Sequence, residues 1–288
     1  MPSHLSTIGL WPLDDAKGFR ERGLLEFVTA MVSRGTILER RSDPPREVVL
    51  FEYFDPSGAG LVGVAKLAGD GRAMELGHLC PTFRSASRLR GVPIRWQVES
   101  KLRGCGVLRF PLQDLSREPA PETLPDALRH LRPGWVPMAL ELDDPALLAE
   151  LRHTGRPATG SQEADVTLTG FVESMSVWSS ADEFLALGMA QSGTATFEDC
   201  LLTWHEDQAE FAYPMGLREH PAEPQLQVRG VVQSAERRRN GISGWEFDWA
   251  RISTPFGPFE VVIPPLDPTP QPGQILLADC RLVGRLEL

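Results

Sequence analysis

QLQVRGVVQSAERRR (225–239), WEFDWARIST (245–254), FGPFEVVI (256–263) and QILLADCRLVGRL (274–286) are four runs rich in β-branched and aromatic residues. NGISG (240–244) separates the first two, and a proline-rich stretch (264–273) precedes the last. Asn-Gly between alternating runs is a hairpin signal, because both turn residues tolerate positive φ. Proline cannot donate to a ladder and so closes a strand. The tail therefore predicts a small closed or nearly closed β-barrel, an architecture that often binds without catalysing. A five-stranded Greek-key barrel needs one strand more than these four, so the fifth must be short or come from elsewhere.

Two features of this tail are candidate binding residues. Arg237, Arg238 and Arg239 precede Asn240-Gly241 and place three cations at a hairpin tip. Trp245, Phe247 and Trp249 alternate with Glu246, Asp248 and Ala250, so the three aromatics share one face of their strand. Inside the barrel they are core; outside it they form a stacking platform. The carboxylates on the opposite face favour the core reading, because burying them without partners is costly.

Upstream, 15–33 spaces Leu24, Leu25, Phe27, Val28, Met31 and Val32 as an amphipathic helix ending before Gly35. EVVLFEYF (47–54), LVGVAKLA (61–68) and AMELGHL (73–79) follow, separated by the turn compositions DPSGAG and GDG. A helix on an antiparallel meander gives an α+β module over 1–116, in which VPIRWQV (92–98) and GVLRFPL (106–112) add two strands. Residues 117–160 read as an acidic, proline-rich helical connector, with helices near 122–131 and from Asp144-Pro145. In the β-rich region 161–288, ADVTLTGFVESMSVW (164–178) is a strand, and Ser180 with Glu183 forms a capping box opening a helix through Ala190. TATFEDCLLTW and AEFAYPM read as the next hairpin, before the barrel over 225–288. LTGFVES (168–174) echoes VRGVVQS (228–234), and EDCLL (198–202) echoes ADCRL (278–282), but the two separations differ and predict no repeat.

Charge is uneven along a chain of net charge −10. Residues 80–109 hold seven basic residues against one acidic, and 110–224 hold six basic against twenty acidic. The two segments attract each other, or else the basic one, with Arg84, Arg88 and Arg90, meets an anionic ligand; overall acidity opposes the second at long range. Cys80, Cys105, Cys200 and Cys280 form no CxxC pair and read as buried free thiols, with no metal or cofactor expected. His78 and Cys80 could share a face, yet a structural zinc needs four ligands. Gly58-Ala59-Gly60-Leu61-Val62-Gly63 satisfies a dinucleotide-loop pattern in letters, but VAKLA is too short for the helix that fingerprint requires. Gly241-Ile242-Ser243-Gly244-Trp245 lacks the last glycine of a nucleophile elbow. The start of the chain has neither the basic residues nor the apolar run of a signal peptide, so a soluble cytoplasmic protein without membrane contact is expected.

VRGVVQSAERRRNGISGWEFDWARISTPFGPFEVVI (228–263) with the terminal ILLADCRLVGRL resembles the C-terminal portion of uncharacterised bacterial proteins that carry an OB-like barrel. The resemblance rests on GVVxxxERRxN, a glycine-containing turn, the aromatic strand, FEVV and GRL. It implies a fold and carries over no functional residue. A non-catalytic binding or scaffolding protein with a protein partner, or a homo-oligomer, is the leading expectation, since no nucleophile, base and oxyanion constellation is evident. Single-stranded nucleic-acid binding through Arg237–Arg239 and exposed aromatics is the alternative. An enzyme with an interdomain pocket using His78, Arg84 or Arg88 is the third.

Overall fold

The structure is a computed structural model describing residues 5–10, 24–43, 46–71, 73–98, 104–111, 135–142, 159–180, 182–184, 225–254 and 257–287. The expected helices at 122–131 and from Asp144, the helix beyond residue 184, the hairpin at 195–215 and His205 lie outside these residues.

The described chain is mostly β. Strands β1 (Thr36–Asp43), β2 (Arg46–Phe54), β3 (Ala59–Leu67) and β4 (Ala73–Phe83) form an antiparallel sheet in that order. Helix α1 (Leu24–Arg34) packs against β4 and β2. It ends at Gly35, whose N–H bonds Met31 O at 2.8 Å. A Cβ at Gly35 would lie 2.6 Å from Glu52 O, so only glycine lets the helix end lie this close to β2. In the turn from β2 to β3, Gly58 has φ 91° and its N–H bonds Asp55 O. Gly58 to Gly63 is thus a hairpin turn running into a strand, with no phosphate-binding helix behind it. β1 was not expected from TILERRSD (36–43), which has two apolar side chains and holds its place by pairing with β2.

The sheets divide between Phe83 and Arg88. β5 (Arg88–Val98) and β6 (Gly104–Pro111), read from the sequence with residues 1–116, instead join the second sheet. With β7 (Trp135–Leu142), β8 (Thr159–Trp178), β9 (Gln225–Arg239), β10 (Glu246–Thr254), β11 (Gly257–Ile263) and β12 (Ile275–Glu287) they close a ring in the order β10-β11-β8-β5-β6-β7-β12-β9. Across this ring β8 also pairs with β12, from Asp165↔Glu287 to Trp178↔Ile275. The cross-pairing splits the closed sheet into two rings of five strands that share β8 and β12. One is β8-β5-β6-β7-β12, closed by the parallel contact of β7 with β12. The other is β8-β11-β10-β9-β12, closed by the parallel contact of β11 with β8. The strand missing from the tail's barrel is β8, about fifty residues upstream of β9, so the tail closes only with help from outside 225–288.

Both shared strands change neighbours at a glycine. β8 leaves β5 after Thr167 and meets β11 from Thr169; β12 leaves β9 after Arg281 and meets β7 from Val283. A Cβ on Gly170 would sit 2.9 Å from Cys280 Sγ, and one on Gly284 2.4 Å from Leu140 Cδ1. The sequences around them match: Val166-Thr-Leu168-Thr-Gly170-Phe-Val172-Glu173 and Cys280-Arg-Leu282-Val-Gly284-Arg-Leu286-Glu287 share Leu, Gly and Glu. An echo not noted from the sequence thus links β8 with β12; of the two that were, the match of Gly170 with Gly230 joins points where β8 and β9 each change neighbours, and EDCLL (198–202) lies outside the described residues.

One apolar core fills both rings, from Ile94, Leu140, Leu142 and Val166 to Ile252, Val261, Leu276 and Leu282. A second lies between the four-stranded sheet and the outside of the barrel. There Met31, Phe51, Leu61 and Ala65 meet Phe171, Phe247, Val262 and Val283. Cys280 is buried in the first core, and burial pushes its thiol far up, beyond the range in which it ionises in water. Cys80 is half-buried, and neither cysteine forms a disulfide. At the end of β8, Glu183 N–H donates to Ser180 Oγ at 3.1 Å, while Ser179 N–H donates to the Glu183 carboxylate at 2.7 Å. The box thus reaches one residue further back than the sequence pattern places it.

Candidate functional site

The hairpin tip is built by its own carboxylates and amides. Asp248 faces the barrel interior beside Ala250 and Ile252 and is fully buried. It accepts Arg237 Nε at 3.0 Å and Nη2 at 3.2 Å, Leu266 N–H at 2.8 Å and the Thr269 hydroxyl at 3.1 Å. Arg237 Nη2 also donates to Leu266 O. The hydrogen bond to Asp248 raises the Arg237 pKa, against a smaller desolvation effect. Arg238 lies 4.3 Å over Trp249 and 5.6 Å over Phe83, and donates to Ser57 O at 2.9 Å and to Glu236. Arg239 Nε donates to Gly244 O at 2.6 Å. The buried Asn240 accepts Ile242 N–H and Ser243 N–H and donates to Ile8 O at 3.1 Å, clasping the segment 5–10 to the hairpin. Asp55, 5% exposed, does the same for the β2–β3 turn by accepting Gly241 N–H.

The aromatic face is neither barrel core nor open platform. Phe247 and Trp249 point out of the barrel, but the four-stranded sheet covers them: Phe247 is 0% exposed and meets Phe83 edge to face at 6.4 Å. Trp249 is half-buried and donates Nε1–H to Glu260 at 3.3 Å. Trp245, 39% exposed, precedes the strand. The opposite face, which its carboxylates seemed to exclude from an interior, carries Asp248 inward because four donors compensate the burial.

Arg84 lies on the turn between the sheets and Arg88 and Arg90 at the start of β5, and this segment meets two residues that sequence reasoning missed. The Arg84 guanidinium stacks 4.5 Å over Phe54, whose ring also lies 5.1 Å from Arg285. Arg285 donates to Glu52 at 2.5 Å. Pairing sets Arg88 opposite Thr167 on β8, and Thr167 opposite Arg285 on β12, so the three form one row across the barrel wall. Val166 and Leu168 point inward, which turns this row to the outside. No local pattern could have shown it, because the three residues come from strands separated by more than seventy positions.

Two carboxylates hold this segment. Glu260, 2% exposed, accepts the Ser85 hydroxyl at 3.0 Å and Ala86 N–H at 3.1 Å. Asp165 accepts Gly91 N–H at 2.9 Å and Arg88 Nε at 3.1 Å. The Gly91 amide, then Arg88, hold the Asp165 carboxyl below its ordinary value of 3.8. A depressed folded pKa means that the attachment is fully made above the ordinary value and is lost as pH falls through the lower, folded one. The Gly91 amide shift in an NMR titration is accordingly expected to move with a midpoint below 3.8. A midpoint at or above that value would show that the bond is not made in solution.

Arg84 and Arg90 are exposed; Arg84 has no hydrogen bond or ion pair within the described residues beyond its backbone N–H, and Arg90 attracts the Asp165 carboxylate. The described residues hold no group of three metal-ligating side chains, and no helix among them is long and apolar enough to cross a membrane. The side chain of His78 lies outside the description. No family model, curated protein or solved structure matches the chain.

Proposed function

We propose that this is a non-catalytic binding or scaffolding protein, cytoplasmic, whose OB-like barrel carries protein contacts. The observation behind the reading is how the buried polar side chains are used. Asp55, Asp248 and Glu260 each bind backbone amides of a neighbouring turn, and Asn240 binds amides of its own turn and Ile8 O of the segment 5–10, so their hydrogen bonds hold loops in register. Catalytic acids and bases instead converge on a site where a reacting atom can sit.

The ring connectivity supports the OB-like part of the reading. In each five-stranded ring a three-stranded meander, β5-β6-β7 or β9-β10-β11, is closed by a strand parallel to its third member. The remaining strand pairs antiparallel with the first. This is Greek-key order, sequential in the first ring and circularly permuted in the second, where β8 comes first in the chain. An OB barrel uses the outer face of its second and third strands for ligands. In the second ring that face is β10–β11, and the chain's own sheet occupies it. Single-stranded nucleic-acid binding would need those aromatics free for stacking, which makes it the less supported reading.

A turnover screen against a broad set of small metabolites is expected to find no conversion, while purification from the native host brings down a protein at fixed stoichiometry. Turnover abolished by replacing one described side chain would overturn the reading.

A further inference from the structure

We propose that the segment from Arg84 to Gly91, the turn between the sheets and the start of β5, with the adjoining row Arg88, Thr167 and Arg285, is the docking surface for an acidic peptide segment of a partner protein. Arg84 and Arg90 supply the open contacts. The inference rests on the binding-protein reading and names the face and the chemistry that it uses.

Four observations carry it. First, Arg84 and Arg90 are exposed: Arg84 makes no ion pair among the described residues, and Arg90 only attracts the Asp165 carboxylate, which already accepts the Arg88 guanidinium and the Gly91 amide. An exposed guanidinium whose in-plane donors are not used up can take a carboxylate from outside. Second, Arg84 is already ordered: its ring contact at 4.5 Å and the bond from its N–H to Gly58 O at 2.9 Å fix both ends of the residue. A stacked guanidinium presents its in-plane donors outward, the geometry that suits a bidentate carboxylate, and pre-ordering lowers the entropy lost on binding. Third, the segment itself is held, through Ser85 and Ala86 by Glu260 on β11 and through Gly91 by Asp165 on β8. Fourth, the charge is spread along a line. Arg84 and Arg90 stand near opposite ends of the segment, and the row beside them crosses three strands, on the order of 10 Å at a strand spacing of roughly 4.8 Å. One small anion engages one end of such a line, whereas an extended acidic segment runs along it. The existing pairs, Arg88 with Asp165 and Arg285 with Glu52, brace the row and leave the net charge of these residues positive.

Fluorescence anisotropy of a labelled ten-residue peptide of alternating glutamate and serine, titrated with the full-length chain at 50 mM salt, tests the proposal. Saturable binding is expected, weakening as salt rises because exposed charge pairs are screened. The double variant Arg84→Ala/Arg90→Ala should bind at least tenfold more weakly while still melting in one cooperative transition close to that of the wild type, since both side chains are exposed and lose only the Phe54 stack and the attraction to Asp165. Arg239→Ala, which removes a similarly exposed arginine at the hairpin tip, should stay within twofold of wild type. Wild-type affinity in the double variant, an equal loss in Arg239→Ala, or no binding at 50 mM salt would each overturn it. So would tighter binding of an oligodeoxythymidine of equal charge, which would point to nucleic acid instead. Failure of the peptide with a silent turnover screen removes this face and leaves the binding reading; turnover removes both.

Discussion

Replacing Asp248 with alanine is expected to lower the unfolding free energy by about 3–5 kcal/mol, the range seen when one partner of a buried ion pair is removed. The carboxylate is completely buried at the end of the barrel, where Arg237, Leu266 N–H and Thr269 all donate to it. Without it the Leu266 amide and the Thr269 hydroxyl lose their acceptor, and each unsatisfied buried group costs about 1–3 kcal/mol. Arg237 contributes less to the loss, because its side chain is 35% exposed and can turn to water. Arg237→Ala leaves the buried carboxylate with neutral donors alone and is expected to cost a comparable amount, whereas Asp248→Asn, which keeps an acceptor oxygen and the volume and leaves no buried charge, is the milder change. Urea denaturation of the three variants gives the order directly. A loss under 1 kcal/mol for Asp248→Ala would show that the four donors find other acceptors and that the carboxylate is not what closes this end.

What could be read locally was read from local causes. The β9–β10 hairpin follows from NGISG between alternating runs, although the residue at positive φ is Gly244 and neither Asn240 nor Gly241, the β2–β3 hairpin from Gly58, and the cap after β8 from Ser180 and Glu183. Each depends on residues within a few positions of one another. The closure of the barrel does not. Its fifth strand is β8, and β8 serves two rings at once, a role that shows in sequence only as the shared Leu, Gly and Glu around Gly170 and Gly284. Those three identities are too few to stand out until the strands are seen side by side. The direction of the aromatic strand was hidden for another reason. Alternation says which residues share a face and is silent on what covers it, and here an outward face becomes interior because β2, β3 and β4 lie over it. The basic turn was visible as composition, in Arg84, Arg88 and Arg90. Its neighbours Phe54 and Arg285 arrive through the sheet junction and strand pairing, which have no local signature.

That covering makes the adjacent residue the other sensitive position. Phe247→Ala is expected to cost about 3–5 kcal/mol, the usual loss for a fully buried phenylalanine, because it opens a cavity between two layers that cannot easily collapse. Behind Phe247 is the barrel wall, and in front are Phe83 and the segment 5–10, which Asn240 holds through Ile8 O, while Asp55 ties the β2–β3 turn to the same hairpin through Gly241 N–H. Trp245, two positions earlier, supplies the contrast. It is 39% exposed, so Trp245→Ala should change stability by under about 1 kcal/mol. Trp249→Ala lies between them, losing the ring beneath Arg238 and the bond to Glu260. If the aromatic face were an open platform, all three replacements would be mild and alike; if it were the barrel's own interior, Asp248 would be the exposed neighbour and its loss harmless. Denaturation curves for Trp245→Ala and Phe247→Ala beside Asp248→Ala separate these arrangements. Only a covered outer face makes two consecutive residues, pointing in opposite directions, both severe while the tryptophan before them is not.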